Sequence, residues 1–494
     1  MRCPNKDIFS RMCPFHSNPC TFLKIAIRTY IIDIKYYMNK ISIIGGGLSG
    51  LSLAYILLSK NKDIELSVIE SDHRPGGKVW TDRSDGFLCE KGPNGFLDSK
   101  PKTLELCSSL GIDPVRSNEN AKKRFIFMNN RLNALPESPP AFLKSDIISW
   151  TGKLRMLYEL IAAKGPDDET VSDFIIRRLG KEALETLIDP MASGIYAGDP
   201  HTMSIKSCFP RIKELEQEYG SLIRAMIKIQ KQKKQERKKT GDSTVSVAPG
   251  GTLTSFINGA QTLTDTLADS IGDRLKLGVT VQGISKKHSS YLVHTSGGDI
   301  ESEVVVMASP AYASSAILND LDSEISELLA DIPYPHVAVV CFGYKKENIT
   351  NSLNGFGFLI PHKEKKNILG TLWDSSVFPN RASEGNALLR SMTGGAKHPE
   401  IADMDDDKVI NLVFDELKPI MGLKTDPDMA RIYRWDKAIP QYLLGHSFRL
   451  DLIHKKLRNH AGLYLTGNAY RGIGINDCIT NSYELADEIL KSIL

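Results

Sequence analysis

No stretch of the 494 residues is both long and uncharged enough to span a bilayer, which argues against a transmembrane helix and leaves a soluble or peripheral chain. Charge of one sign is also scarce. The 62 Lys and Arg residues against 59 Asp and Glu give a formal net charge of +3, too small at this size to argue for nucleic acid as a partner. The eight cysteines (Cys3, Cys13, Cys20, Cys89, Cys107, Cys208, Cys341 and Cys478) include no CxxC pair. Neither a zinc site nor a dithiol motif is signalled, and reduced thiols are the expectation. No internal repeat is visible. No short uncharged core precedes a small-residue cleavage site near the N-terminus, so a secretory signal is not expected. The apolar run from Thr21 to Tyr37 is broken by Lys24, Arg28, Asp33 and Lys35. Met38 stands just before the first clear strand, and residues 1–37 are expected to add nothing to the fold, with an amphipathic leader as the other reading.

What is present begins with ISIIGGGLSG, residues 41–50, followed by the helical run LSLAYILL. Strand 41–44, glycine turn, helix 48–58 and strand 64–69 make a βαβ unit. Gly45, Gly46, Gly47, Leu48, Ser49 and Gly50 fit GxGxxG, a pattern that suits a tight turn, close approach of backbone to a pyrophosphate, and helix against sheet. The helix start at Leu48 then offers free N–H groups and the positive end of its dipole. Glu70, at the end of the second strand, is placed to accept ribose hydroxyls. Together these features predict a dinucleotide site.

Glu70 to Lys78, ESDHRPGGK, resembles the ExxxRxGG extension of flavin oxidoreductases that bind FAD in a two-dinucleotide-binding fold. The terminal GNAYRGIGIND, residues 467–477, fits the second FAD contact of those enzymes. A helix starting near Gly474 would aim its N–H groups at the flavin pyrimidine edge, where negative charge accumulates on reduction. Between these ends lie a helical middle and several strand-like segments (275–284, 291–295 and 303–310). In the stretch 138–166, Leu154, Leu157, Tyr158 and Ile161 recur at helical spacing beside Lys153 and Arg155. It reads first as a core helix and second as a membrane-surface helix. The basic run 228–244 reads as a solvated loop, with a minor share for attraction to membrane phosphates.

SGIYAGDPHTMSIKSCFPRIKELEQEYGSLI, residues 193–223, resembles the signature of oxygen-dependent protoporphyrinogen oxidases. The resemblance runs from Met38 onward through EKGPNGFLDSK (90–100), KRFIFMNNRLNALPESPPAFLKSDI (123–147), GFGFLIP (355–361), LGTLWDSSVFPNRA (369–382), LLRSMTGG (388–395), RWDKAIPQYLLGH (434–446) and GNAYRGIGINDCI (467–479). FINGAQTL (256–263) departs where the family usually has two adjacent glycines, which puts one turn in doubt.

The resemblance implies an α/β fold in three parts. A Rossmann-like FAD domain is assembled from 38–118, 245–310 and 451–494. A mixed α+β substrate domain comprises 119–135 and 311–450, and an α-helical membrane-associated domain spans 136–244. It also implies FAD as cofactor, a porphyrinogen as substrate and molecular oxygen as acceptor, with six electrons removed in three rounds of hydride transfer to flavin N5 and hydrogen peroxide released. No side chain is named as a catalytic acid or base.

The FAD positions carried over are Gly45 through Gly50, Glu70, Ser71, Gly77, Lys78, Gly92, Pro93, Asn94, Gly95, Val281, Trp435, Gly474, Ile475 and Asn476. Val281 and Trp435 read equally as packing. For the substrate they are Arg124, matching an arginine that pairs with a propionate, and Leu359, Leu372 and Met392, matching positions that sandwich the macrocycle. Met392 stands where plant members have phenylalanine, and a thioether packs well on a pyrrole face. Tyr196, Gly198 and Asp199 carry no chemical role that can be derived, and a turn is the default. Protoporphyrinogen IX is favoured over coproporphyrinogen III because a four-propionate substrate calls for a more cationic pocket than Arg124 in an apolar set. A flavin amine oxidase or a carotenoid desaturase would share the FAD motifs but not SGIYAGDP, and a porphyrin carrier would keep FAD without turnover. The resemblance implies a cytoplasmic protein, peripheral on the inner face of the cell membrane, and leaves a homodimer open.

Overall fold

The computed structural model describes residues 40–240 and 251–493. Expectations for residues 1–37, for Met38 and for the 241–244 end of the basic run lie outside the described residues.

Two sheets organise the chain. In the first, Lys40–Ile44 lies between Glu65–Ile69 and Val304–Met307, all parallel, with Leu275–Lys276 and Leu463–Leu465 at the edges. These strands are nearly continuous apolar runs because both their faces are covered. On one side Ile41, Ile43, Val68 and Val306 pack with helices Leu48–Lys60, Gln261–Ile271 and Ile475–Ile493. On the other side Ile44, Ile69 and Val305 pack with the antiparallel strands Val281–Lys287 and Ser290–Thr295 and with helices Ala311–Leu318 and Ser323–Ala330. The stretch 311–330, which the sequence groups with the substrate unit, therefore packs on the parallel-sheet side.

The second sheet has seven strands in the order Met429–Trp435, Val337–Lys345, Asn386–Gly394, Ile368–Leu372, Gly357–Leu359, Phe125–Met128, Arg131–Ala134. Only Phe125–Met128 against Gly357–Leu359 is a parallel pair. Side-chain alternation splits its residues between two cores. Ala338, Val340, Phe342 and Leu389 pack under the helix Asp406–Met421. Val337, Val339, Cys341 and Leu388 turn the other way, onto Phe87 and Cys89.

The helical middle differs from its sequence reading in two respects. Leu154, Leu157, Tyr158 and Ile161 are not core: they are 66%, 58%, 51% and 73% exposed, next to Trp150 at 69%. The polar residues of the same segment point inward. Lys153 is buried and donates to the carbonyls of Leu143 and Ser145, at 2.9 and 2.6 Å. Glu159 is buried against Arg178, and Arg155 donates to the last carbonyls of the helix Val171–Arg178. The 3.6-residue period is real, but its inner side is satisfied by ion pairs and carbonyls instead of apolar contacts. The basic run, expected as a loop, continues the helix Leu222–Thr240. Lys, Arg and Gln are good helix formers, and Glu159 accepts from the N–H groups of Leu222 and Ile223 at its start. Among the described residues no helix is long and apolar enough to cross a membrane.

Candidate functional site

The glycine loop leaves the first strand at Gly45, whose φ of +114° is left-handed and whose Cβ would meet the Ala308 backbone at 2.9 Å. At Gly50 a Cβ would lie 2.0 Å from the Gly45 carbonyl oxygen, so only glycine lets the helix start this close to the strand. Leu48 and Ser49 are buried in the first helical turn. That turn has no side-chain cap and no acidic residue, so its amide groups are left for an anion. Glu70 closes the loop: its Oε2 accepts from Gly46 N at 2.7 Å, and its Oε1 from Asp72 N at 2.8 Å and the Ser71 hydroxyl at 3.2 Å.

The ExxxRxGG segment folds back on this loop. Gly76 donates to the Gly46 carbonyl at 2.8 Å, and Arg74 donates to the Gly77 carbonyl at 2.6 Å. Lys78 reaches across to the carbonyls of Lys437 and Ala438, two acceptors for three donors. Burial pushes its pKa down to about 8. The helix Ile475–Ile493 lies alongside Leu48–Lys60, and Ser482 donates to the Ser49 carbonyl at 3.1 Å. Gly474 therefore begins a second helix next to the first, with Asn476 accepting from Thr103 at 2.5 Å and donating to Leu97 O at 2.9 Å. Two helix starts, a ribose-type carboxylate and a lysine with a spare N–H fit the charged and hydroxylated parts of a dinucleotide.

Trp435 ends the edge strand of the mixed sheet, and its Nε1 donates to the Lys91 carbonyl at 2.7 Å. It meets Trp80 edge-on at 6.4 Å, and Trp80 is itself flanked by the Arg74 guanidinium at 3.6 Å and the Lys91 ammonium at 3.4 Å. These two cations over one ring were not anticipated: Trp80 belongs to no motif, and nothing in EKGPNGFLDSK marks Lys91 as its partner. Val281 is buried with Ile69 and Val305, so the structure gives it a core position.

Leu359 is in register with Gly370, and Gly370 with Met392, whose other neighbour is Val339. Leu372 lies two residues beyond Gly370, opposite Arg390. Register and alternation put Leu359, Leu372, Met392 and Arg390 on one face, the face that packs toward Phe87 and Cys89. The three apolar residues are half-buried there. Arg124 immediately precedes the neighbouring strand Phe125–Met128, exposed, with its guanidinium 5.3 Å from the Phe356 ring. Among the described residues it has no carboxylate partner. The signature segment closes the far end: a Cβ on Gly194 would lie 2.7 Å from Leu359, and Tyr196 is buried with its hydroxyl on the Cys208 carbonyl at 2.8 Å. Tyr196 is thus a packing residue at a helix end, and Ala197 takes the left-handed turn after it.

Buried charge between the loop 90–95 and the mixed sheet is the feature sequence reasoning missed. Glu90 is fully buried, and burial pushes its carboxyl up against the pull of Arg381 and the hydrogen bonds from Thr81 and Ala260. Asp374 and Arg390 form a second buried pair, 2.6 Å apart. DSSVFPNRA and LLRSMTGG contain these residues, but no spacing in the sequence marks them as partners.

A family model described as flavin containing amine oxidoreductase matches residues 48–490. The chain is 34% identical over 468 residues to the chloroplastic protoporphyrinogen oxidase of Oryza sativa subsp. japonica, covering 90% of this chain and 87% of that protein. It is 31% identical over 458 residues to the coproporphyrinogen III oxidase of Bacillus subtilis (strain 168), covering 88% and 95%. In fold it resembles a crystal structure from Exiguobacterium sp. 255-15, provisionally described as a protoporphyrinogen oxidase, with a TM-score of 0.77 at 24% identity over 91% of this chain and 98% of that one. Cyclohexylamine oxidase from Brevibacterium oxydans IH-35A gives a TM-score of 0.65 at 17% identity over 92% and 99%.

Proposed function

Since the chain belongs to the flavin-containing amine oxidoreductase family and is an FAD-dependent oxidoreductase, we propose that it oxidises a porphyrinogen of haem biosynthesis, with protoporphyrinogen IX as the favoured substrate and oxygen as acceptor. FAD, when bound, would supply the two-electron redox chemistry between porphyrinogen and oxygen. The protein's part is position and exclusion of water. Gly45 to Gly50, Glu70, Ser71, Gly77 and Lys78 would hold the adenosine and pyrophosphate end. The Gly92–Gly95 loop, Trp435 and the helix start at Gly474, Ile475 and Asn476 would hold the flavin end.

The observation that carries the substrate reading is the apolar face made by Leu359, Leu372 and Met392, bordered by an exposed arginine that has no carboxylate partner among the described residues. Such a face suits a greasy macrocycle with its propionates at one edge, and Arg124 suits a carboxylate bidentately. Coproporphyrinogen III, with four propionates, is the second reading, favoured by the Bacillus relative's activity. Purified protein assayed with both porphyrinogens, following porphyrin fluorescence and peroxide, tests the choice. Turnover of protoporphyrinogen IX is expected, and turnover of the four-propionate compound alone would overturn it.

The exposed row Trp150, Leu154, Leu157, Tyr158 and Ile161, with Leu143, Met226 and Ile227 also exposed, supports a further part of the reading. Large exposed apolar side chains clustered at one period mark an interaction surface. With Arg224 and Lys228 exposed beside Met226 and Ile227, this one is proposed to rest on a membrane surface.

A further inference from the structure

We infer that Asp374 and Arg390 are positioning residues: from the short helix Asp374–Val377 and the mixed sheet they hold the Gly92–Gly95 loop and orient the Asn94 amide so that its carbonyl oxygen is the free acceptor for an N–H of a molecule bound beside it. The inference deepens the proposed activity and rests on it only for the identity of the substrate. Arg390 is 2% exposed, opposite Leu372 and two residues before Met392, on the face assigned to the macrocycle. Its Nε donates to Asp374 Oδ2 at 2.6 Å, and a second nitrogen donates to the Gly92 carbonyl at 3.2 Å. Asp374 is fully buried, and its other oxygen accepts from Asn94 Nδ2 at 3.2 Å.

An ionised carboxylate only accepts, so it must face the NH2 end of the amide, and the carbonyl end is turned away. That carbonyl oxygen is buried and has no partner among the described residues, on a residue only 9% exposed. A buried acceptor left unmade is costly, so the fold keeps it where something else completes it. Both candidate occupants carry N–H groups, the flavin ring on its edge and the porphyrinogen on its four pyrroles. The loop is also seated from behind: a Cβ on Gly92 would lie 2.1 Å from the Lys78 carbonyl oxygen.

The test uses the full-length holoenzyme with Asp374→Asn, Asn94→Leu and the two combined. A pyrrole N–H predicts that each single change lowers kcat/KM about tenfold with FAD affinity kept; a flavin N–H predicts an FAD dissociation constant raised about tenfold, with an altered visible spectrum. In either case the double variant loses no more than the larger single loss, because both changes remove the same contact. Multiplying losses, or an Asn94→Leu protein that matches wild type in both readouts, would overturn the inference. The paired variant Asp374→Leu with Arg390→Met removes both charges at once, so packing survives. It is expected to melt near the wild-type temperature, to show faster amide exchange over residues 92–95, and to suffer the same functional loss. Unchanged exchange there would refute the positioning role even if neither porphyrinogen proved to be the substrate, whereas absent turnover with altered exchange would refute only the proposed activity.

Discussion

At the scale of single residues, the informative side chains are those whose chemistry is left incomplete within the chain. Arg124 is exposed and has no carboxylate partner among the described residues, so its guanidinium is available to a ligand. Arg124→Ala is expected to raise KM about tenfold or more while FAD content stays unchanged, the loss of one charge-assisted contact. Equal loss of both, measured by flavin absorbance beside steady-state kinetics, would assign it to the scaffold. His446 is the opposite case: fully buried, stacked on Tyr442 at 4.3 Å, and held by burial at a pKa of about 4 against an ordinary 6.5. Between those values the unfolded chain binds the extra proton, so this group's contribution to stability is present above pH 6.5 and lost as the pH falls toward 4. Its full size is on the order of 3 kcal/mol. Thermal melts of His446→Phe are expected to fall less steeply than wild type across that window; parallel curves would exclude the histidine as the source.

Among the elements, the segment around Trp150–Leu157 shows how far periodicity reaches. The sequence places Leu154, Leu157, Tyr158 and Ile161 on one stripe with Lys153 and Arg155 beside it, and the structure keeps that division. What the pattern does not say is which side faces in. Arg178 and Glu216, 2.7 Å apart and fully buried, receive Glu159 and make the polar side the inner one. Glu216 is held at a pKa of about 2: its burial, which favours the neutral acid, is outweighed by hydrogen bonds from Lys213, Arg178 and Arg177. Leu154→Glu with Ile161→Glu is therefore expected to leave folding and FAD binding intact. The same pair of changes should abolish co-flotation with anionic phospholipid vesicles, and a double variant that still floats would remove this face from the membrane reading. The helix Leu222–Thr240 makes a related point. A basic stretch without apolar periodicity looks like a loop until a carboxylate from another element, Glu159, caps its start.

For the molecule as a whole, function depends on two sheets meeting. The glycine loop, the ExxxRxGG turn and the terminal helix are legible because each is a local backbone requirement: a left-handed φ at Gly45, a missing Cβ at Gly50, an open helix end. The seven-stranded sheet is legible only in part. Its apolar face could be named from motifs, but Leu359, Gly370 and Met392 become neighbours through register, and Trp80 enters the site through the Arg74 and Lys91 cations held over its ring, from positions 17 apart.

By itself the amino-acid sequence determined the βαβ unit with its glycine loop, the return of the last helix beside it and the flavin family of the chain, because glycine spacing and strand runs act over a few residues and tolerate little variation. Tertiary structure alone decided which face of the helical middle meets solvent and which carboxylate meets which arginine. Those outcomes depend on pairing buried charges such as Asp374 with Arg390 and Glu159 with Arg178, and the energy of that pairing exists only once distant segments have been brought within hydrogen-bond reach and shut away from water.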